Sequence, residues 1–177
     1  DLEWASTVKN ATLGSPTADG ITVRFSADGT MQTISWVVVP GAGGYQVSVY
    51  NNDDPEHPVL IGEENEFVDG VTTQRPSTED TKYKVVIKAL GNQKNNNKEA
   101  ETASEGLYNN MLPVTAFIPS NTNLTEYFTA NPIPDTIAEL CYEFEAGGSY
   151  TMTGNISQGK TPVTFRSSKV NHANIVV

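Results

Sequence analysis

Apolar and polar residues alternate along three stretches in the first two thirds of the chain. Residues 31–40, MQTISWVVVP, place Ile34, Trp36 and Val38 on one face. Residues 43–52 and 81–91 repeat the pattern, with Tyr, Val, Ile and Ala on one face and Gln, Ser and Lys on the other. A period of two residues is typical of strands that bury one face. The pattern therefore predicts antiparallel strands with one buried and one solvated face.

Turn-forming residues separate these stretches at short intervals. They are Asp28-Gly29, Gly41 to Gly44, Asn51 to Pro55, Asp69-Gly70 and the polar run Asn92 to Asn97. Short strands at this spacing, with no helical periodicity between them, predict two packed antiparallel sheets.

The hydrophobic pattern changes after Leu107. Residues 108–123 carry a short apolar run flanked by prolines, which predicts a strand that links two domains. We therefore expect one domain over residues 1–110 and a second over residues 111–177.

Two short helices and a new set of strands are predicted in the second domain. Asn123 and Asp135 are N-cap candidates for helices that run to Phe128 and to Leu140. Residues 142–154, YEFEAGGSYTMTG, alternate on both sides of a Gly pair, and apolar strand positions recur to the last residue. The whole chain is thus expected to be all-β with little helix.

Charge and cysteine content exclude several function classes. Eleven Lys and Arg against twenty-one Asp and Glu give a net charge of -10. This charge repels nucleic-acid phosphates and anionic membrane surfaces, so no nucleic-acid partner is expected. Cys141 is the one cysteine, which excludes an intrachain disulfide and favours a buried hydrophobic role. No run of about 18 apolar residues is present to span a membrane.

Neither a metal site nor a catalytic constellation is predicted. Acidic residues cluster at residues 53–56 and 63–69, but their spacing differs from that of calcium-binding loops. A solvated acidic edge that discourages aggregation is the better interpretation. His57 and His172 are not accompanied by a Gly-x-Ser-x-Gly nucleophile turn. We predict no catalytic residue, no metal ligand and no cofactor.

Three aromatic residues are candidates for ligand binding: Tyr50, Trp4 and Tyr108. Tyr50 falls on the polar face of its strand, and the other two lie in segments without clear periodicity. Exposed aromatic rings can bind sugars by stacking on the apolar face of a pyranose. For each of the three, ordinary packing at the end of a domain or between domains is the alternative.

The stretch ISWVVVPGAGGYQVSVY, followed by TKYKVVIKALG and KEAETASEG, resembles a fibronectin type III domain over residues 21–107. The resemblance implies a β-sandwich whose core is filled by Trp36 on the second strand, Tyr45 on the third and Tyr83 on the sixth. Such domains are commonly spacers or recognition modules, and the fold alone does not assign a function.

Residues 123–177 resemble the N-terminal cap and first coils of a right-handed parallel β-helix of the pectate-lyase type. The matching residues are Gly147, Gly148, Tyr150, Met152, Gly154, Ile156 and the run Val163 to Ser167. The resemblance implies a short β-helix-like segment with a small capping helix. Catalytic residues of such lyases come from later coils, so none is assigned. Since a stack needs about three coils to be stable, we expect that the protein continues beyond Val177, or that another copy or the sandwich covers the edge.

The combination of a fibronectin-like sandwich and such a helix resembles polysaccharide-utilisation surface lipoproteins of Bacteroidetes-type bacteria. It implies a location at the cell surface or in the periplasm, with membrane contact only through a removed lipid anchor. The start at Asp1 agrees with that expectation.

Three functional hypotheses follow. The first is a non-catalytic cell-surface module that presents or binds polysaccharide. The second is the N-terminal part of a β-helix polysaccharide lyase or hydrolase whose catalytic coils lie outside this sequence. The third is an adhesin or assembly protein that pairs strands at its C-terminal edge.

Overall fold

The computed structural model describes residues 11–177 and divides the chain into two compact units, Asp1–Met111 and Leu112–Val177. The described residues of both units form mainly β-strands, and one short α-helix lies in the second unit. The predicted all-β class is therefore confirmed.

The described residues of the first unit, 11–111, form nine strands: β1 Ala11–Thr12, β2 Thr22–Phe25, β3 Met31–Ser35, β4 Gly44–Asn51, β5 Val59–Val68, β6 Thr72–Pro76, β7 Lys82–Leu90, β8 Asn97–Lys98 and β9 Ser104–Asn109. One antiparallel sheet has the order β2-β3-β6, and a second has the order β5-β4-β7-β9. β1 and β8 form a separate parallel pair. Three strands packed on four make a fibronectin type III-like sandwich, as the sequence predicts.

Because apolar and polar residues alternate along the strands, the apolar side chains fill the space between the two sheets. The fully buried aliphatic residues are Ile34, Val47, Val49, Val85, Ile87 and Ala89. The rings of Trp36 and Tyr45 meet edge to face, with their centroids 5.3 Å apart. The Tyr83 hydroxyl accepts a hydrogen bond from the Thr78 amide and donates one to the Thr78 carbonyl. The three aromatic residues that the resemblance placed in the core are therefore core residues.

The strand predicted over residues 31–40 ends earlier than the alternation of its residues indicates. β3 ends at Ser35, and Val38 is 62% exposed instead of facing the core. The Trp36 amide still bonds to the Val71 carbonyl, so the indole stays inside while the chain leaves the sheet. The Val39 amide then donates a hydrogen bond to the Tyr45 hydroxyl at 2.8 Å, and a turn begins at Pro40, so the chain has left the pairing with β6 by that point.

The second unit contains six strands and one helix: β10 Ala116–Ile118, β11 Thr122–Asn123, α1 Leu124–Ala130, β12 Leu140–Phe144, β13 Ser149–Thr151, β14 Val163–Arg166 and β15 Asn174–Val176. Two parallel sheets have the orders β10-β12-β14 and β11-β13-β15. Each turn of the chain therefore adds one strand to each sheet, and the three turns are three stacked coils. This is the β-helix-like segment that the sequence predicts.

Two predictions for this segment need correction. The stretch over residues 108–123, expected to be a linking strand, instead supplies β10 and β11 of the first coil. YEFEAGGSYTMTG therefore belongs to the second coil and not to the first. The helix expected from Asp135 to Leu140 does not form, because Leu140 begins β12 beside Val163.

The helix predicted after Asn123 is confirmed. The Asn123 side-chain oxygen accepts a hydrogen bond from the Glu126 amide at 3.2 Å, which satisfies one of the free donors at the start of α1. Leu124 and Phe128 of this helix are buried in the core of the coils. The helix thus covers apolar surface of the second unit.

Candidate functional site

One face of the four-stranded sheet points away from the sandwich core, and we call it the outer face. Tyr45, Val47 and Val49 of β4 point inward, so Tyr50 points outward. The strand register places Tyr50 between Leu60 of β5 and Lys84 of β7. The same register places the next residue of this row, Leu107 of β9, beside Lys84.

Tyr50 is half-buried on the outer face, and its ring contacts a cation. The Lys84 ammonium lies 5.1 Å from the ring centroid. At this distance a cation–π interaction stabilises the pair by about 0.5–1 kcal/mol at an exposed site. The pair therefore presents an aromatic ring and a hydrogen-bond donor side by side on the outer face.

Phe67 is a second aromatic residue on the outer face, and sequence reasoning missed it. It lies opposite Gln46 in the register, and its side chain is 59% exposed. The ring packs directly over Gly44, where a Cβ atom would stand 2.5 Å from ring atom Cε2. Gly44 has φ +142°, a conformation that favours glycine. The backbone of β4 thus supports Phe67 from one side and leaves much of the ring in solvent.

A bulge in β5 separates the two aromatic residues. The pairing between β4 and β5 shifts between Val47 and Val49, and residues 62–65 form the extra length of β5 there. The Asn65 amide donates a hydrogen bond to the Ser48 hydroxyl at 2.7 Å, which fixes the bulge on the sheet. Exposed glutamates of the bulge, Glu63 and Glu64, border the outer face at this edge strand.

Lysines of β7 line the outer face in a chain that is acidic as a whole. Lys82, Lys84 and Lys88 occupy alternate outward positions of the strand. Lys88 lies opposite Gln46 and forms an ion pair with Glu99 at 3.3 Å. The outer face therefore combines two aromatic rings, amide groups and ammonium donors.

Tyr108 is not on the outer face. It lies opposite Tyr83 in the register and stacks on it, with ring centroids 5.4 Å apart. Its hydroxyl donates a hydrogen bond to the side-chain oxygen of Gln32, a buried residue. Burial raises the pKa of the Tyr108 hydroxyl well above its usual range.

Tyr108 also borders a groove of about 310 Å³ beside β2 and β9, together with Val23, Phe25 and Leu107. Tyr50 and Tyr108 therefore belong to opposite faces of one sheet and do not form one site. Trp4, the third candidate, lies outside the described residues. A ligand role for any of the three stays a prediction.

The acidic loop after β4 is organised by internal hydrogen bonds. Asp54 contacts the His57 ring at 3.0 Å and accepts a hydrogen bond from the Glu56 amide. The hydrogen bond with His57 lowers the pKa of the Asp54 carboxyl. Asp53 accepts a hydrogen bond from the Lys82 amide. Within residues 11–177, no group of three or more His, Cys, Asp or Glu side chains is placed to hold a metal ion.

Comparison with known proteins places most of the chain in one family. The model of DUF4992, described as a domain of unknown function, matches residues 1–147. A search of curated proteins finds no match. Over the described part of the chain, no helix reaches the length and hydropathy that a membrane crossing requires.

Similar solved structures include fibronectin type III domains. A Fn3-like protein from Clostridium thermocellum is 19% identical with a TM-score of 0.38, over 54% of this chain and 91% of that chain. The FN3 domain of human collagen XX is 15% identical with a TM-score of 0.36, over 55% and 88% of the two chains.

A pectate lyase also appears among the similar structures. PelI from Erwinia chrysanthemi, solved in complex with tetragalacturonic acid, is 10% identical with a TM-score of 0.30. The match covers 88% of this chain and 45% of the lyase, so the chain spans less than half of that protein's length. All three TM-scores lie below 0.5, and these likenesses carry no argument about function.

Proposed function

Since the chain belongs to the family DUF4992, described as a domain of unknown function, we propose a function from the described surface. The protein is a non-catalytic cell-surface module that binds polysaccharide along the outer face of its sandwich. Phe67 is the stacking residue, Tyr50 takes part through the edge of its ring and its hydroxyl, and Lys84 supplies donors beside them.

The observation that supports this proposal most directly is the position of Phe67. The exposed Phe67 ring leaves apolar surface in contact with water. It lies so close to Gly44 that a Cβ atom there would stand 2.5 Å from the ring. The site therefore exists before any ligand arrives, which reduces the entropy cost of binding. An apolar sugar face can stack on such a ring.

The outer face suits an extended chain better than a compact ligand. Phe67 lies beside Gln46, and Leu60 lies beside Tyr50. Tyr50 lies four positions after Gln46 along β4, a distance of about 13 Å at the rise of a β-strand. A chain of several sugar residues can contact both rings, with the outward-facing, partly buried side chains of β7 next to it. Tyr50 would take part through its exposed edge and hydroxyl, because Lys84 covers one face of the ring.

The cell-surface or periplasmic location is part of the same proposal. It is supported by the acidic composition and by the resemblance of the sequence to Bacteroidetes-type surface lipoproteins. Extracellular polysaccharides are accessible to a module in that location.

Affinity electrophoresis in gels that contain neutral or acidic polysaccharides tests the proposal. We expect at least one polysaccharide to retard the wild-type protein. Tyr50→Ala and Phe67→Ala should each weaken binding about two- to tenfold, because one aromatic contact is worth about 0.5–1.5 kcal/mol. The variant that combines Tyr50→Ala and Phe67→Ala should migrate in a polysaccharide gel as fast as it does in a gel without polysaccharide.

Phe117→Ala is the matched control, since Phe117 is also an exposed phenylalanine on a strand but lies in the second unit. Its retardation should equal that of the wild type. Unchanged retardation of both outer-face variants, or an equal loss in Phe117→Ala, would rule out the outer face as the binding surface.

A further inference from the structure

An ion pair connects β5 and β6, which are the last strands of their two sheets on one side of the sandwich. The Glu66 carboxylate of β5 and the Arg75 guanidinium of β6 lie 2.7 Å apart at Oε2 and Nη2. The Arg75 side chain is 5% exposed. It also donates hydrogen bonds to the Thr73 hydroxyl at 2.7 Å and to the Gln74 carbonyl at 2.8 Å. The pair therefore joins the edges of both sheets.

Both charged side chains occupy positions that face the core. Glu66 lies opposite Val47 in the register of β4 and β5, and Arg75 lies opposite Gln32, a buried residue of β3. Taking two charges out of water costs free energy that their attraction repays only in favourable geometry, so a buried ion pair is weak evidence of stability. The role best supported for such groups is the selection of one register among alternatives.

The part of β5 that carries Glu66 has such an alternative. After the bulge at residues 62–65, β5 pairs with β4 over three residues, Glu66, Phe67 and Val68. No other described strand pairs with the opposite side of β5. A bulge longer or shorter by one residue would move this short ladder by one position, which turns every side chain to the other face. Phe67 would then face the core, and Glu66 would face the solvent.

Two solvation effects favour the shifted register. It would return the Glu66 carboxylate to water, and it would bury the Phe67 ring, which is 59% exposed. Val68, which packs against the core, would be exposed in exchange, but its side chain is smaller than the ring. The observed register therefore needs an interaction that holds Glu66 inside.

We propose that the ion pair of Arg75 and Glu66 selects the register of β5 that places Phe67 on the outer face. Arg75 attracts the carboxylate inward, and alternation along the strand then directs the next side chain outward. Arg75 is thus a positioning residue for Phe67 and does not itself touch a ligand. Its importance for binding rests on the function proposed above.

The backbone of the bulge packs directly on Arg75. Gly62 has φ +81°, and a Cβ atom there would stand 3.3 Å from Nε and 3.4 Å from Cδ of Arg75. At the other end of the bulge, the Asn65 amide bonds to the Ser48 hydroxyl at 2.7 Å. The length of the bulge is therefore linked to the position of the Arg75 side chain.

Arg75→Leu removes the partner of Glu66 and leaves an apolar side chain on which the Phe67 ring can pack. We expect a protein that is folded by circular dichroism but has β5 in the shifted register. Nuclear Overhauser contacts between the Phe67 ring and Gly44 should disappear, and contacts with the Val47 methyl groups should appear. Retardation in gels of β-glucan, xylan or polygalacturonate should fall as far as it does in Phe67→Ala.

Glu66→Lys tests the pair from the other strand and guards against misfolding of Arg75→Leu. It places two positive charges together, so it should shift β5 in the same way. The variant that combines Arg75→Leu with Glu66→Leu makes both inward positions apolar, and it should keep the wild-type ring contacts and retardation. Arg24→Leu, which removes an exposed arginine from the same sheet as β6, should change neither measurement.

The ring contacts separate register selection from ordinary stabilisation. A pair that only stabilised the fold would lower the free energy of unfolding on mutation without moving the Phe67 ring. The proposal is overturned if the ring keeps its contact with Gly44 in both Arg75→Leu and Glu66→Lys, or if the combined variant loses that contact as they do.

These results are distinguishable from failure of the proposed function. Phe67→Ala tests polysaccharide binding by itself, so an unshifted ring overturns only the role of Arg75. A ring that turns inward while retardation stays unchanged supports the selection of register by Arg75, and it rules out Phe67 as the stacking residue.

Discussion

Trp36→Ala should lower the free energy of unfolding of the sandwich by about 3–5 kcal/mol. The indole is 4% exposed and packs edge to face on Tyr45, so truncation leaves a cavity between the two sheets. Domains are stable by only about 5–15 kcal/mol in total, so this loss removes a large share of the stability of the sandwich. Urea unfolding followed by far-UV circular dichroism measures the loss.

Val37→Ala is the neighbouring control for this experiment. Val37 follows Trp36 directly and is 57% exposed, so its truncation should change stability by less than about 0.5 kcal/mol. If Trp36→Ala lowered the free energy of unfolding no more than Val37→Ala does, the tryptophan could not be a core residue of the sandwich.

Tyr150→Ala should lower the free energy of unfolding of the second unit by a similar amount, about 3–5 kcal/mol. The ring is buried against Phe144, with centroids 4.6 Å apart. Its hydroxyl donates a hydrogen bond to the Ile118 carbonyl at 2.6 Å and accepts one from the Glu145 amide at 2.8 Å. One side chain therefore joins the first coil to the turn of the second.

Tyr150→Phe separates the hydrogen bonds from the packing. It keeps the ring but leaves the buried Ile118 carbonyl without its donor, at an expected cost of about 1–3 kcal/mol. Thr151→Ala, at an exposed position of the same strand, should be close to neutral. Equal stability of Tyr150→Phe and the wild type would contradict the role given to the hydroxyl.

Local periodicity predicted the sandwich well because its strands are long and bury one face. The inward-facing residues Tyr83, Val85 and Ile87 alternate with outward positions that are mostly lysine, and this period of two residues is typical of a half-buried strand. The coils are different, since their strands have two to five residues and pair with residues about 25 positions away. Ala116 pairs with Tyr142, and a window of local sequence holds no information about such a partner.

The missing helix shows the same limit. Asp135 offers an N-cap, but the segment after it is held by Thr161, which is fully buried. The Thr161 hydroxyl accepts a hydrogen bond from the Thr136 amide and donates one to the Pro134 carbonyl. Long-range contacts thus override a local capping signal, because a short isolated helix is only marginally stable.

The candidate site was predictable in part. Alternation placed Tyr50 on the outer face, whereas the inward position of Tyr108 depends on its register with Tyr83. Phe67 carried a signal, because it precedes the inward-facing Val68 and must point the other way. Its exposure could not be predicted, since it depends on the β5 bulge and on Gly44 beneath the ring.

The central claim is that the outer face of the sandwich binds polysaccharide, and an NMR titration of the labelled protein with soluble polysaccharide fragments tests it most directly. We predict that the largest amide shift changes fall on β4, β5 and β7, around Tyr50, Phe67 and Lys84, and saturate with one affinity. A set of fragments that includes neutral and acidic sugars but shifts no amide, or shifts that cluster on other strands, would contradict the account.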